Sequence, residues 1–280
     1  MRRTIHVAHS PDSDDAFMFW ALAAEKFDTG DLRYVHELAD IETLNRRALS
    51  GELEVSAVSI HAYAYLVDRY ALLGCGASMG DGYGPRVVAR EAAPRDPRGS
   101  LRNRRIAVPG MLTTAYLALR LYQPDFEAVV MPFDRIEAAV LAGEVDAGLL
   151  IHEGQLTFAD SGLSLWIDLG AWWLGDTGLP LPLGGNVVRR DLGDAVIAQI
   201  GRDLRNSIRY ALEHREPALA HAGRFSRGLS EEHTDRFVGM YVNQWTVDWG
   251  PRGRRAVQLL LDRGTGAGVI PARVAVEFVG

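Results

Sequence analysis

The chain has 280 residues, 48% of them apolar and 24% charged, which suits one large domain or two smaller ones and excludes a disordered chain. A formal net charge of −6 argues against a dedicated nucleic-acid binder, and no run reaches the roughly eighteen apolar residues of a membrane span. One cysteine, Cys75, excludes an internal disulfide and a thiolate metal cage. The single lysine among 30 basic residues, Lys26, reads as an exposed helix end, which argues against imine-forming and P-loop chemistry.

In chain order, RTIHVAHS reads as a strand ending at the acids Asp12, Asp14 and Asp15. His6, His9 and these acids break its apolar stretch, so no signal peptide is readable and a cytoplasmic location is expected. An amphipathic helix follows over about Asp15 to Phe27, capped by Ser13 or Asp14. LRYVHEL is a strand, IETLNRRALS a helix stopped at Gly51, EVSAVSI a strand and HAYAYLVDRYALL a helix. GCGASMGDGYG breaks the pattern before the strand PRVVAR, and the polar, Pro/Gly-rich EAAPRDPRGSLRN looks like a domain crossing. The alternation then restarts through RIAVPG, TTAYLALRLY, AVVMPF, RIEAAVLAGE and DAGLLIHE, and LPLPLGGNVVRR leads into a helical tail.

This order predicts an α/β fold with largely parallel sheets. Residues 1–91 with 183–280 form one expected domain and 92–182 an inserted second one, with a cleft between them. Ligands of open α/β sheets bind beyond the carboxyl ends of strands, which directs attention to Ser10–Asp15, Ser56–His61, Pro109–Ala115, His152 and Glu153.

In VPGMLTTAYLAL a turn delivers Thr113 and Thr114 to a helix start. There the free N–H groups could dock a carboxylate or phosphate, or the threonines could simply cap the helix. Ser56 and Ser59 offer donors at a similar turn. His152 ends an apolar strand, as a general base or as a hydrogen-bonded structural histidine. HEGQL is not a zinc-protease motif, because Leu156 stands where its second histidine belongs. The remaining histidines have no metal spacing, so neither a metal nor a cofactor is expected. Trp166, Trp172 and Trp173 read as core, and nothing decides between a monomer and a homodimer.

The blocks SPDSDDAFMF, DIETLNRRAL, VPGMLTTAYLAL, AGLLIHEGQLTF and DLGAWWLGDTGLPLPLG together resemble the 1,4-dihydroxy-6-naphthoate synthase family of the futalosine route to menaquinone. The resemblance runs strongly from Ile5 to Arg190 and more loosely through the helical tail. It implies a two-domain fold of the periplasmic-binding-protein type (type II). It also implies cleavage of cyclic dehypoxanthinyl futalosine to 1,4-dihydroxy-6-naphthoate and a dihydroxyacetone-like fragment, so the expected partner is a small aromatic carboxylate. By the same resemblance the general base falls on His152, the substrate loop on Ala57, Val58 and Ser59, and the helix-start contact on Thr114 and Ala115, beside the Thr113 of the helix-start reading. Asn45 and Asp14 match cleft-lining positions. SPDSDD departs from the frequent SPCPND pattern, and Ala57 replaces a lysine found in some members. A chorismate dehydratase of the same route and a binding protein for a small carboxylate are the competing readings.

Overall fold

The structure, a computed structural model, describes residues 2–226 and 229–280. The chain first lays down β1 (Arg3–His9), β2 (Leu32–Leu38), β3 (Val55–Ser59), β4 (Tyr70–Leu73) and β5 (Ser78–Gly80). It then forms β6 (Arg86–Ala89), β7 (Arg105–Val108), β8 (Glu127–Val130), β9 (Ala147–Leu150) and β10 (Ser164–Asp168), and returns with β11 (Leu181–Arg189) and β12 (Phe278–Val279). These strands make a seven-stranded sheet, β12-β4-β11-β3-β1-β2 with β5 on β11, and a five-stranded sheet, β10-β6-β9-β7-β8.

Both sheets are mixed, where the helix–strand alternation predicts largely parallel ones. β11 runs antiparallel to β3, β4 and β5, and β6 runs antiparallel to β9 and β10. The reversals come from the strands next to the two sheet-to-sheet passages, whose direction a local reading does not reveal. The outward passage also lies earlier than expected. PRVVAR, assigned to the first unit by the 1–91 boundary, contains β6 and is hydrogen-bonded on both edges in the smaller sheet. The polar segment after it joins β6 to β7 inside that sheet.

Two local expectations change for physical reasons. HAYAYLVDRYALL is a four-residue helix, Ile60–Tyr63, followed by turns and the fully buried β4. A short apolar run suits a buried strand as well as a helix, and pairing with β11 decides for the strand. The first helix spans Ser13–Ala23 and is buried on every side from Ala16 to Leu22, because helices of the tail cover the face that an amphipathic helix would leave to water. By contrast Ile41–Ser50 has one buried stripe, is capped by Asp40 and ends at Gly51 in the left-handed conformation. Trp173 is wholly buried and Trp166 nearly so, as core residues should be.

The two sheets meet with the carboxyl ends of β1, β3, β7 and β9 facing a common cleft. The segments that follow these strands line it.

Candidate active site

The cleft is lined from the larger sheet by Ser10, Asp12, Asp14, Asp15, the β3 segment Ala57–Ser59 and Asn186 of β11. The smaller sheet contributes Thr113, Thr114, Ala115, His152 and Gln155. Ser56 and Glu153 stay out of the lining, and so does Asn45, alone among the residues matched by resemblance. Its side chain is fully buried behind β3, where it accepts the Ser59 N–H at 2.8 Å and donates to Ser59 Oγ at 3.1 Å. Asn45 therefore shapes the turn that presents Ser59.

His152 follows the fully buried β9, so its backbone is carried by a rigid element. Nδ1 lies 3.4 Å from Asp12 Oδ2, and Phe133 packs on the ring with centroids 3.6 Å apart. Nε2 is buried and has no hydrogen-bond partner. An imidazole nitrogen left unsatisfied at a cleft wall is a ready acceptor for a ligand's proton.

The loop after β7 brings the nine-residue helix Thr114–Tyr122 to the cleft. Gly110 makes this approach possible, since a Cβ there would lie 2.2 Å from Glu42 Oε2. Glu42 in turn accepts the Leu112 N–H at 3.3 Å, fixing the loop from the larger sheet's side. Both threonine hydroxyls are engaged by the protein. Thr113 Oγ1 donates to the Gly110 carbonyl and accepts the Tyr116 N–H, while Thr114 Oγ1 donates to the Leu183 carbonyl and accepts the His61 N–H. The N–H groups of Thr114 and Ala115 make no hydrogen bond within the described chain. Capping and anion docking are thus compatible here, with the hydroxyls serving the first and the amides open to the second.

Four carboxylates crowd the other end of the cleft. Ser10 N–H donates to Asp15 at 2.8 Å and Ser13 Oγ donates to Glu153 at 3.3 Å. Burial raises the Asp14 carboxyl well above the usual carboxylate range, and the charges of Asp15, Asp12 and Glu153 add to the effect. Burial raises Asp15 to about 6 against the lowering influence of its bonds from Ser10. The folded chain therefore keeps the Asp15 proton where the unfolded chain has lost it. Stability from this group is complete below about pH 4 and is lost as the pH rises through about 6. An acid titrating in such a window contributes a slope of about 1.4 kcal/mol per pH unit. Asp15→Asn, which retains an acceptor for Ser10, should flatten the decline between pH 4 and 6 by about that slope. Urea unfolding at a series of pH values measures it, and an unchanged slope would place the buried charge elsewhere.

Comparison with known proteins identifies the scaffold. Residues 5–265 match the profile of a family described as menaquinone biosynthesis. The chain belongs to the menaquinone-biosynthesis family. It is 43% identical over 256 residues to a protein of Thermus thermophilus named 1,4-dihydroxy-6-naphthoate synthase, covering 91% of this chain and 92% of that one. A Streptomyces coelicolor protein of the same name is 38% identical over 275 residues, 96% and 95% of the two chains. A crystal structure of an Archaeoglobus fulgidus protein superposes with a TM-score of 0.90 at 50% identity, covering 95% of this chain and 98% of that one. The alkanesulfonate-binding protein of Xanthomonas axonopodis pv. citri, bound to MOPS, superposes with a TM-score of 0.68 at 16% identity over 99% and 97% of the chains. This last likeness bears out the periplasmic-binding-protein fold.

Asn186 is a cleft residue of this family member that sequence reasoning passed over. It is 1% exposed, its Nδ2 donates to the Gly76 carbonyl at 3.1 Å, and its Oδ1 has no hydrogen-bond partner. Gly76 has φ +81°, and a Cβ there would fall 2.3 Å from Asn186 Nδ2, so only glycine admits this pairing. The polar residue in the buried LPLPLGGNVV strand was the signal available. Among the described residues one trio, Asp12, His152 and Glu153, brings potential metal-ligand atoms within 4.8 Å of one another. It is the same cluster that surrounds the imidazole. No described helix is long and apolar enough to cross a membrane.

Proposed function

We propose that this chain is a carbon–carbon lyase that converts cyclic dehypoxanthinyl futalosine to 1,4-dihydroxy-6-naphthoate and a dihydroxyacetone-like fragment. One observation carries the reading: an unpartnered imidazole nitrogen and two free helix-start N–H groups belong to the walls of a single cleft. The identities of 43% and 38% to proteins named 1,4-dihydroxy-6-naphthoate synthase support the same reaction.

In this reading the aryl carboxylate docks on the N–H groups of Thr114 and Ala115, where the helix dipole favours an anion. The sugar-derived part then extends towards His152. Asp14, whose protonated form is favoured by burial, can donate to one of its hydroxyls, and Asn186 Oδ1 can accept from another. His152 acts as general base and removes a hydroxyl proton. The electrons of that O–H bond become the carbonyl of the departing fragment, and the broken carbon–carbon pair passes into the ring, which becomes aromatic. With the substrate holding its own electrons, the protein need supply only a base, orientation and exclusion of water.

Incubation with the cyclic futalosine derivative, followed by mass spectrometry, should yield 1,4-dihydroxy-6-naphthoate. No product from that substrate, with chorismate instead losing water to a vinyl-ether benzoate, would transfer the chain to the dehydratase reading. Binding without turnover of either compound would favour a receptor.

A further inference from the structure

We propose that Asp12 is the positioning residue of the His152 base, reaching it across the cleft so that the base is complete only when the two walls meet. The inference rests on the general-base reading above and adds how the base is prepared.

Asp12 immediately precedes the helix Ser13–Ala23 on the larger sheet, whereas His152 follows β9 of the smaller one. Asp12 Oδ2 stands 3.4 Å from Nδ1, and the neighbouring pair repeats the crossing, with Ser13 Oγ donating to Glu153. Two consecutive residues of one wall therefore meet two consecutive residues of the other. A carboxylate beside Nδ1 favours the tautomer that carries its proton there. The lone pair is then left on Nε2, the nitrogen without a partner. Phe133 against the ring face restrains it from turning the other way round. Once Nε2 has taken a proton, the imidazolium lies beside the Asp12 carboxylate, which lowers the cost of the charge. The 3.4 Å separation is long for a hydrogen bond, and such contacts tighten when substrate closes the site. Other acids facing this region are Asp14 and Asp15 beside Asp12, and Glu153 beside His152. Of these, Asp12 is the one whose contact with Nδ1 fixes the tautomer. It is also a position at which SPDSDD departs from the SPCPND pattern.

The test uses the full chain with 15N-labelled histidine, the His152 signals being assigned by their loss in His152→Gln. Two-bond proton–nitrogen spectra of the wild type should report a proton on Nδ1. Asp12→Ala should shift these signals towards the other tautomer and lower kcat about 10- to 100-fold, with KM held within about threefold. Asp12→Asn preserves size and an acceptor but not charge, and should give a smaller kcat loss. If Asp12→Ala does not fold, this variant supplies both readouts. Wild-type nitrogen shifts together with kcat within about threefold of wild type, in whichever of the two variants folds, would overturn the proposal. Near-normal turnover by His152→Gln would instead sink the general-base reading beneath it, so the two failures are told apart.

Discussion

His152→Ala is expected to lower kcat about 10³-fold while changing the free energy of unfolding by no more than about 1 kcal/mol. General-base catalysis by a positioned side chain contributes about 10²- to 10⁴-fold. No lysine lies near enough in the cleft lining to replace it, since the chain's one lysine is outside that lining. The three acids nearby other than Asp12 are poor substitutes. Burial pushes the Asp14 carboxyl towards its protonated form, Asp15 accepts a backbone N–H, and Glu153 accepts from Ser13. Stability should change little because the ring is bounded by the cleft and makes one close aromatic contact, with Phe133. Steady-state turnover beside urea unfolding checks both halves. A variant turning over within tenfold of wild type would mean that the proton leaves by another route.

The reach of the sequence can be judged from particular residues. Ser59, Thr114 and His152 were legible as cleft residues because each lies at or beyond the carboxyl end of an apolar strand, and such ends of an α/β sheet converge on one side. Asn45 was legible as important but not as a residue behind the lining, because its partner Ser59 lies on another element 14 positions on. The contact of Asp12 with His152 spans 140 positions and joins two sheets, so no spacing rule could propose it. The place of β6 was hidden for the same reason. Val87 and Val88 announce a buried strand, yet nothing local states which sheet buries them. Asn186 shows a different limit. A single polar residue inside an apolar strand reads as a packing irregularity until Gly76 is seen opposite it.

Thr114→Val should cost about 2–6 kcal/mol of stability, the largest effect expected from removing a single hydroxyl here. Thr114 Oγ1 donates to the Leu183 carbonyl of β11 at 2.6 Å and accepts the His61 N–H, just beyond β3, at 3.1 Å. One oxygen on the smaller sheet's helix thus ties two segments of the larger sheet. His61 is 2% exposed, and its Nδ1 is already committed to the Thr113 carbonyl at 3.3 Å. Valine preserves the shape while leaving a donor and an acceptor without partners, and each such orphan costs about 1–3 kcal/mol. Thr114→Ser retains the oxygen and should stay within about 1 kcal/mol of wild type. The docking amides belong to the backbone, so substrate KM in the folded valine variant should rise far less than kcat falls on loss of His152. Urea unfolding of the valine and serine variants, with KM measured on each, separates tie from ligand contact. Equal stability of valine and wild type would refute the tie, and a KM raised a hundredfold without loss of stability would return the hydroxyl to the substrate.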